Sequence, residues 1–201
     1  MARHALRNWA GNQVFSPSIL HRPRTIEELQ TIVRAAASCR VLGSGHSFND
    51  SATSPAEMIA LSGGTFFPAP ISIDEAAATV TVPAGATYAE VISVLSATRW
   101  ALHNAASLPH ISVGGAIATG THGSGVGNGN LATAVRALEI VTADGGIRTL
   151  TPADPEFAGS VVHVGALGAV TRVTLALVPA FEIQQSEAGA GECQHGGRPL
   201  I

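Results

Sequence analysis

The chain has 201 residues, 46% of them apolar, enough for the core of one large domain or two small lobes. Only 12% are charged and the net charge is -3; with no basic run, nucleic acid and anionic membrane surfaces are poor main partners. There is no lysine, so Schiff-base chemistry, a Walker-type phosphate loop and a serine–lysine dyad are excluded within this chain. Residues 1–12 lack an apolar core of signal-peptide length and no segment is apolar enough to span a bilayer, so a cytoplasmic location is expected. Cys39 and Cys193 stand far apart and outside any Cys-x-x-Cys pair, which argues against a disulfide framework or structural zinc. Cys39 is expected as a small buried residue.

In chain order, Asn8, Trp9, Gly11 and Asn12, followed by Val14 and Phe15, suggest an early ordered segment anchored by Trp9. Thr25 with Glu28 three residues on is a capping box, and it opens the amphipathic run Ile26, Leu29, Ile32, Val33, Ala36, which predicts a helix. The apolar strand at residues 40–42 then breaks into Gly43, Ser44, Gly45, His46, Ser47, Phe48 and Asn49. Glycines there let the backbone turn its N–H groups onto a ligand, as in tight anion-binding loops. By itself the motif equally fits a plain turn with a solvated histidine.

Residues 58–61 read as a short strand, followed by a turn at Ser62, Gly63 and Gly64. Residues 71–74 and 78–82 alternate apolar and polar side chains, which predicts an antiparallel pair. Thr87 with Glu90 makes a second capping box before the helical face of Val91, Ile92 and Leu95, so Glu90 reads as a cap and not a catalyst.

Residues 100–135 contain no Asp, Glu, Lys or Arg and are rich in Gly, Ser, Thr, His and Asn. Such polarity rules out a membrane helix. It suits a buried wall around a neutral or anionic ligand, offering N–H and hydroxyl donors without the cost of burying charge; the alternative is a glycine-rich surface loop. Val113, Ile117 and Ala118 predict a packed helical turn within it. Residues 135–142 and 147–150 flank a hairpin turn containing Asp144. A short helix at 154–162, a turn at 164–168 and a long strand at 169–178 complete the reading. The fold class is α+β: a small αβ lobe, about 1–70, then a mainly antiparallel sheet with flanking helices, about 71–185. Arg99 and Arg136, which bracket the uncharged stretch, read equally as phosphate partners or surface charges. His103, His163 and His195 read as structural or solvated. A metal site on His46, His110 and His122 is not expected, since no acidic partner set or His-x-x-x-His pair accompanies them.

Three blocks, taken in order, resemble the PCMH-type FAD-binding domain of the vanillyl-alcohol-oxidase flavoproteins, and within them the alditol (xylitol) oxidases. These are Gly43 to Asn49, then Ser107, Leu108, Pro109, His110, Ile111 and Ser112, then Thr119, Gly120, Thr121, His122, Gly123, Ser124 and Gly125. Glu139 with Asp144 and Gly145, and Gly165 with Gly168, extend the likeness over residues 8–184. The resemblance implies two α/β subdomains and FAD as cofactor. It carries the pyrophosphate cradle to Gly43, Ser44, Gly45 and Ser47, with Val41 and Leu42 leading into it. It makes His46 the nucleophile that bonds the flavin 8α-methyl carbon, chemistry suited to a neutral imidazole. Ser107, Ser112, Gly115, Thr119, Gly120, Thr121 and His122 match positions lining the flavin and its phosphates, and Val170 a contact to the adenine end.

The family passes hydride from a polyol carbon to the flavin, and dioxygen reoxidises it to give hydrogen peroxide. The residues that bind the polyol come from a carboxy-terminal domain expected to be absent here, so no catalytic residue is expected in this chain. Residues 186–201 show no family pattern and are expected to be a disordered tail. A gulonolactone-type oxidase, or a non-catalytic flavin-binding module awaiting a partner subunit, are the other readings.

Overall fold

The computed structural model describes residues 6–61 and 70–183. The turn expected at Ser62, Gly63 and Gly64 and the tail expected at 186–201 lie outside them. Strands β1 (Leu6–Arg7) and β2 (Val14–Phe15) form an antiparallel hairpin. Its anchors are Asn8 and Phe15, 4% and 2% exposed, whereas Trp9 is 59% exposed and does not anchor it. Strand β3 (Ile19–His21) leads to helix α1 (Ile26–Ala35), whose buried face is Leu29 and Val33. Thr25 Oγ1 caps the Glu28 N–H at 3.2 Å, but the Glu28 carboxylate takes the Arg24 N–H at 2.7 Å, one residue before the box position.

Strands β4 (Cys39–Leu42) and β5 (Glu57–Ala60) join β3 in a parallel sheet of order β3-β5-β4, with α1 as the crossover that parallel pairing requires. Cys39 is half-buried against this lobe's core.

The second lobe is antiparallel. Strand β6 (Ser72–Asp74) pairs with β7 (Thr79–Pro83), burying Val80 and Val82 as the alternation predicts. Helix α2 (Tyr88–Leu95) starts from a complete Thr87–Glu90 capping box and buries Tyr88, Val91 and Leu95. After the short strand β8 (Trp100–Ala101), the uncharged stretch folds helix α3 (Val113–Ala118) and a 3₁₀ turn (Leu131–Ala134). Strands β9 (Val135–Val141) and β10 (Ile147–Leu150) make the expected hairpin, in which Asp144 Oδ1 accepts the Gly146 N–H at 2.9 Å and the Thr142 hydroxyl at 2.6 Å.

Helix α4 (Phe157–Val161) is shorter than the expected 154–162, because Asp154 accepts the Thr151 N–H at 2.7 Å in a preceding turn. The long strand is likewise two: β11 (Ala169–Ala176) stays in the sheet, while β12 (Val178–Pro179) leaves it to pair with β8. The sheet order is β10-β9-β11-β7-β6. Among the described residues no helix is long and apolar enough to cross a membrane.

The lobes share a core in which Leu29, Val33, Ile59 and Leu61 pack with Val141 and Ala169. Polar ties run beside it: Gln30 Nε2 donates to Gly145 O at 2.7 Å and Arg40 Nη1 to Val164 O at 3.1 Å. A cleft remains where β4 ends and α3 begins.

Candidate functional site

The loop after β4 is held from two sides. Gly45 takes φ +71°, a conformation that favours glycine, and its carbonyl accepts the Trp9 N–H at 2.8 Å. Asn8 Nδ2 donates to Ser47 O at 2.8 Å and Asn12 Nδ2 to Phe48 O at 3.0 Å, so the β1–β2 hairpin braces the loop from behind. On the other side Ser44 and Ser112 exchange bonds. The Ser44 N–H donates to Ser112 Oγ at 3.3 Å, and the Ser112 N–H to Ser44 Oγ at 3.0 Å. Gly43 fits against Ser112 only because it has no side chain; a Cβ there would stand closer than 3.0 Å to Ser112 Oγ.

This interlock forms the floor of a cavity of about 410 Å³ between the lobes, within the size range of cofactor sites. Val41, Leu42, Gly43, Ser44, Gly45, His46, Ser47, Ser107, Ser112, Gly115, Thr119, Thr121, His122 and Val170 all line it. Gly120 is not among the lining residues. It sits at φ +64° behind α3, its N–H on Ile117 O at 3.2 Å, facing Val162 and Asn130. A β-bulge leaves Thr171 as the extra residue beside Val170, its hydroxyl donating to Glu139 Oε1 at 2.6 Å. Among the described residues no carboxylate lines the cavity, and Arg40 is the one arginine that does. Arg99 and Arg136 are not in the wall: Arg99 pairs with Glu75 at 2.8 Å and Arg136 Nη1 donates to Val135 O at 3.1 Å.

The histidines divide by role. The His46 ring stacks on Trp9 at 5.1 Å and 25° and meets His110 at 4.6 Å. Its Nδ1 is buried with no hydrogen-bond partner among the described residues, and burial, then the neighbouring His110, hold its pKa below the usual imidazole value. His122 Nδ1 donates to Gly123 O at 2.9 Å. His163, expected to be structural or solvated, lines the cavity with Val164, Gly165 and Gly168. Its Nδ1 accepts the Gly165 N–H at 2.9 Å, its Nε2 is buried without a partner among the described residues, and burial lowers its pKa. The only sequence signal for it is its place beside Gly165 and Gly168.

The sequence pattern of the FAD binding domain family matches residues 17–151. The chain is similar to the alditol oxidase of a Streptomyces species, 48% identical over 90% of this chain and 44% of that protein. It is similar to the L-gulono-1,4-lactone dehydrogenase of Mycobacterium tuberculosis, 35% identical over 90% of this chain and 42% of that one. It is also similar to the L-gulonolactone oxidase of Bos taurus, at 32% over 90% and 42%. The chain thus spans less than half the length of these curated relatives. With its matched segment supplying the braced loop, the serine interlock and most of the cavity wall, the chain belongs to the FAD binding domain family.

Proposed function

We propose that the chain holds FAD in the cavity between its lobes and serves an FAD-dependent oxidase that acts on the CH–OH group of an alditol. The observation that carries this reading is the wall itself. It is lined by glycine backbone, by serine and threonine hydroxyls and, among the described residues, by no carboxylate that would repel a diphosphate. Those donors fit a large anionic cofactor with a flat apolar ring system. FAD, when bound, supplies a two-electron acceptor for hydride from a CH–OH carbon.

In this reading the loop 43–47, braced by Asn8 and locked by Ser112, cradles the pyrophosphate. The remaining lining residues Ser107, Gly115, Thr119, Thr121, His122 and Val170 hold the rest of the cofactor. His46 is the point of covalent attachment. Its depressed pKa keeps the ring neutral near pH 7, with a lone pair for bond formation, and Trp9 and His110 fix the ring plane.

The absorbance spectrum and intact mass of the denatured chain test this. Flavin mass should stay on the polypeptide, and His46→Ala should release it to acid or denaturant. Flavin still bonded to the His46→Ala chain would overturn the assignment.

Polyol oxidation, with dioxygen as acceptor and hydrogen peroxide as product, is proposed for an enzyme of the length of the alditol oxidase relative. Two lactone-named relatives match the same share of the chain, so a sugar-lactone substrate is the second reading. Peroxide formation with xylitol against L-gulono-1,4-lactone decides between them, and flavin that neither substrate reduces would mark a flavin-holding module.

A further inference from the structure

Among the described residues the cavity wall carries one permanently charged side chain, Arg40. Cys39 and Val41 pack into the core under α1, so the alternation of β4 sends Arg40 and Leu42 to the other face of the strand. Arg40 Nη1 donates to Val164 O at 3.1 Å, and a Cβ added to Gly165 would stand 3.6 Å from the same nitrogen. The guanidinium therefore lies against the backbone of residues 164–165, which itself lines the cavity.

That backbone is shaped to hold it. Val164 sits at φ +50°, a conformation that a β-branched residue adopts only when its surroundings impose it. Its N–H is fixed on Ala118 O at 2.9 Å, and its carbonyl is turned onto Arg40. One guanidinium nitrogen is thus anchored. The other two, Nε and Nη2, make no hydrogen bond among the described residues and are not buried. Arg40 forms no ion pair among the described residues either. The wall therefore offers a cation fixed on one side, with open donors on the other and no carboxylate among the described residues to neutralise it. An anion brought by a ligand completes that arrangement, and the planar fork of a guanidinium suits a phosphate.

We infer that Arg40 donates to the diphosphate of the bound dinucleotide from the Val164 side of the cavity, adding the one charged contact to the backbone donors of the loop 43–47. The inference rests on the FAD reading. Arg40 acts here on cofactor affinity and takes no part in hydride transfer.

Affinity for FAD is measured by flavin fluorescence quenching on the full chain freed of flavin, in a His46→Ala background where binding is reversible. At about 0.05 M salt Arg40→Gln should weaken FAD about tenfold, the low end for a bond to a charged group because Arg40 is only half-buried. At about 0.5 M salt the loss should shrink to about threefold or less, since screening weakens the parent's charged contact. Arg40→Lys, which keeps the charge, should stay within about threefold of the parent. Thermal unfolding confirms that each variant is folded. A second measurement needs no change at Arg40: FAD should slow phenylglyoxal modification of Arg40 about tenfold, read by peptide mass, with Arg99, paired to Glu75 outside the wall, as the unaffected reference. Parental FAD affinity in a folded Arg40→Gln protein, a loss of equal size at both salt concentrations, or Arg40 modified equally fast with and without FAD would each overturn the inference. A His46→Ala parent that is folded yet binds no FAD overturns the FAD reading instead, and this inference with it.

Discussion

Gly43→Ala probes the serine interlock directly. Gly43 does not occupy the left-handed region, so alanine meets no backbone penalty there; the obstacle is space. The added Cβ would stand closer than 3.0 Å to Ser112 Oγ, and Ser112 is only 1% exposed, with little room to move. Relief requires the hydroxyl to rotate, giving up the 3.3 Å bond from Ser44 N–H, and the two segments to part, straining the 3.0 Å return bond. Two hydrogen bonds at about 1 kcal/mol each, with about 1–2 kcal/mol of overpacking, give a destabilisation of roughly 3–4 kcal/mol. Ser112→Ala removes the offending atom; the next nearest, Ser112 Cβ, lies at an ordinary 3.6 Å. Ser112→Ala alone should cost about 1–2 kcal/mol, because the Ser44 N–H loses its acceptor. Adding Gly43→Ala to it should then cost under about 0.5 kcal/mol. Denaturant unfolding of the four proteins of this cycle measures the coupling, expected at about 2.5–4 kcal/mol. Additive costs would show instead that the two residues do not compete for the same space.

Gly168 sits at φ +131° with Val141 O closer than 3.0 Å to where a Cβ would be, so Gly168→Ala should cost roughly 3 kcal/mol or more; a melting temperature within a degree or so of the parent's would contradict this. Trp9→Ala removes a ring stack worth about 0.5–1.5 kcal/mol, so it should slow flavin attachment to His46 about two- to tenfold. Trp9→Phe should restore most of the rate in an intact-mass time course, and a Trp9→Ala time course matching the parent's would remove Trp9 from the site. Burial holds the pKa of both His46 and His163 below the ordinary 6.5, so below that value the unfolded chain binds protons that the folded chain refuses. Stability should therefore be flat above about pH 7 and fall as pH drops through the mid-sixes toward the folded pKa values. His163→Asn should flatten part of that fall in denaturant titrations between about pH 7 and 5, and an unchanged slope would assign the effect elsewhere.

The features legible in the sequence have local causes. Helix α2 is announced by Thr87 and Glu90, the β9–β10 turn by Asp144, and the β6–β7 pair by alternation, each within a few residues of what it controls. Most of the cavity wall is legible for a related reason: a wall that closes on Ser112 and Ala84 admits only small residues at Gly43 and Gly114, which appear as glycine blocks. What was not legible depends on distant partners. Strand β12 leaves the sheet because two residues of β8, without a strand signature of their own, pair with it. A large aromatic so near the amino terminus suggested a buried anchor, yet Phe15 takes the buried place and Trp9 spends its ring on His46. His163 carries no pattern, since its significance lies in a cavity assembled from segments more than a hundred residues apart.

The contacts that hold the candidate site reach ahead of the segment that matches the family. The matched segment begins at residue 17, but the loop 43–47 is braced by Asn8, Trp9 and Asn12, all ahead of it. A loop that cradles a diphosphate with backbone donors needs its carbonyls turned away from the ligand and satisfied elsewhere. Trp9 N–H on Gly45 O and Asn8 Nδ2 on Ser47 O do this from behind. Asn8 is nearly inaccessible, and its Oδ1 also accepts the Gln13 N–H at 3.0 Å, so one side chain ties the hairpin's own turn to the loop. If the loop 43–47 is the cradle proposed above, the amino-terminal hairpin belongs to the binding machinery, with the Asn8 side-chain amide and the Trp9 N–H each holding one loop carbonyl.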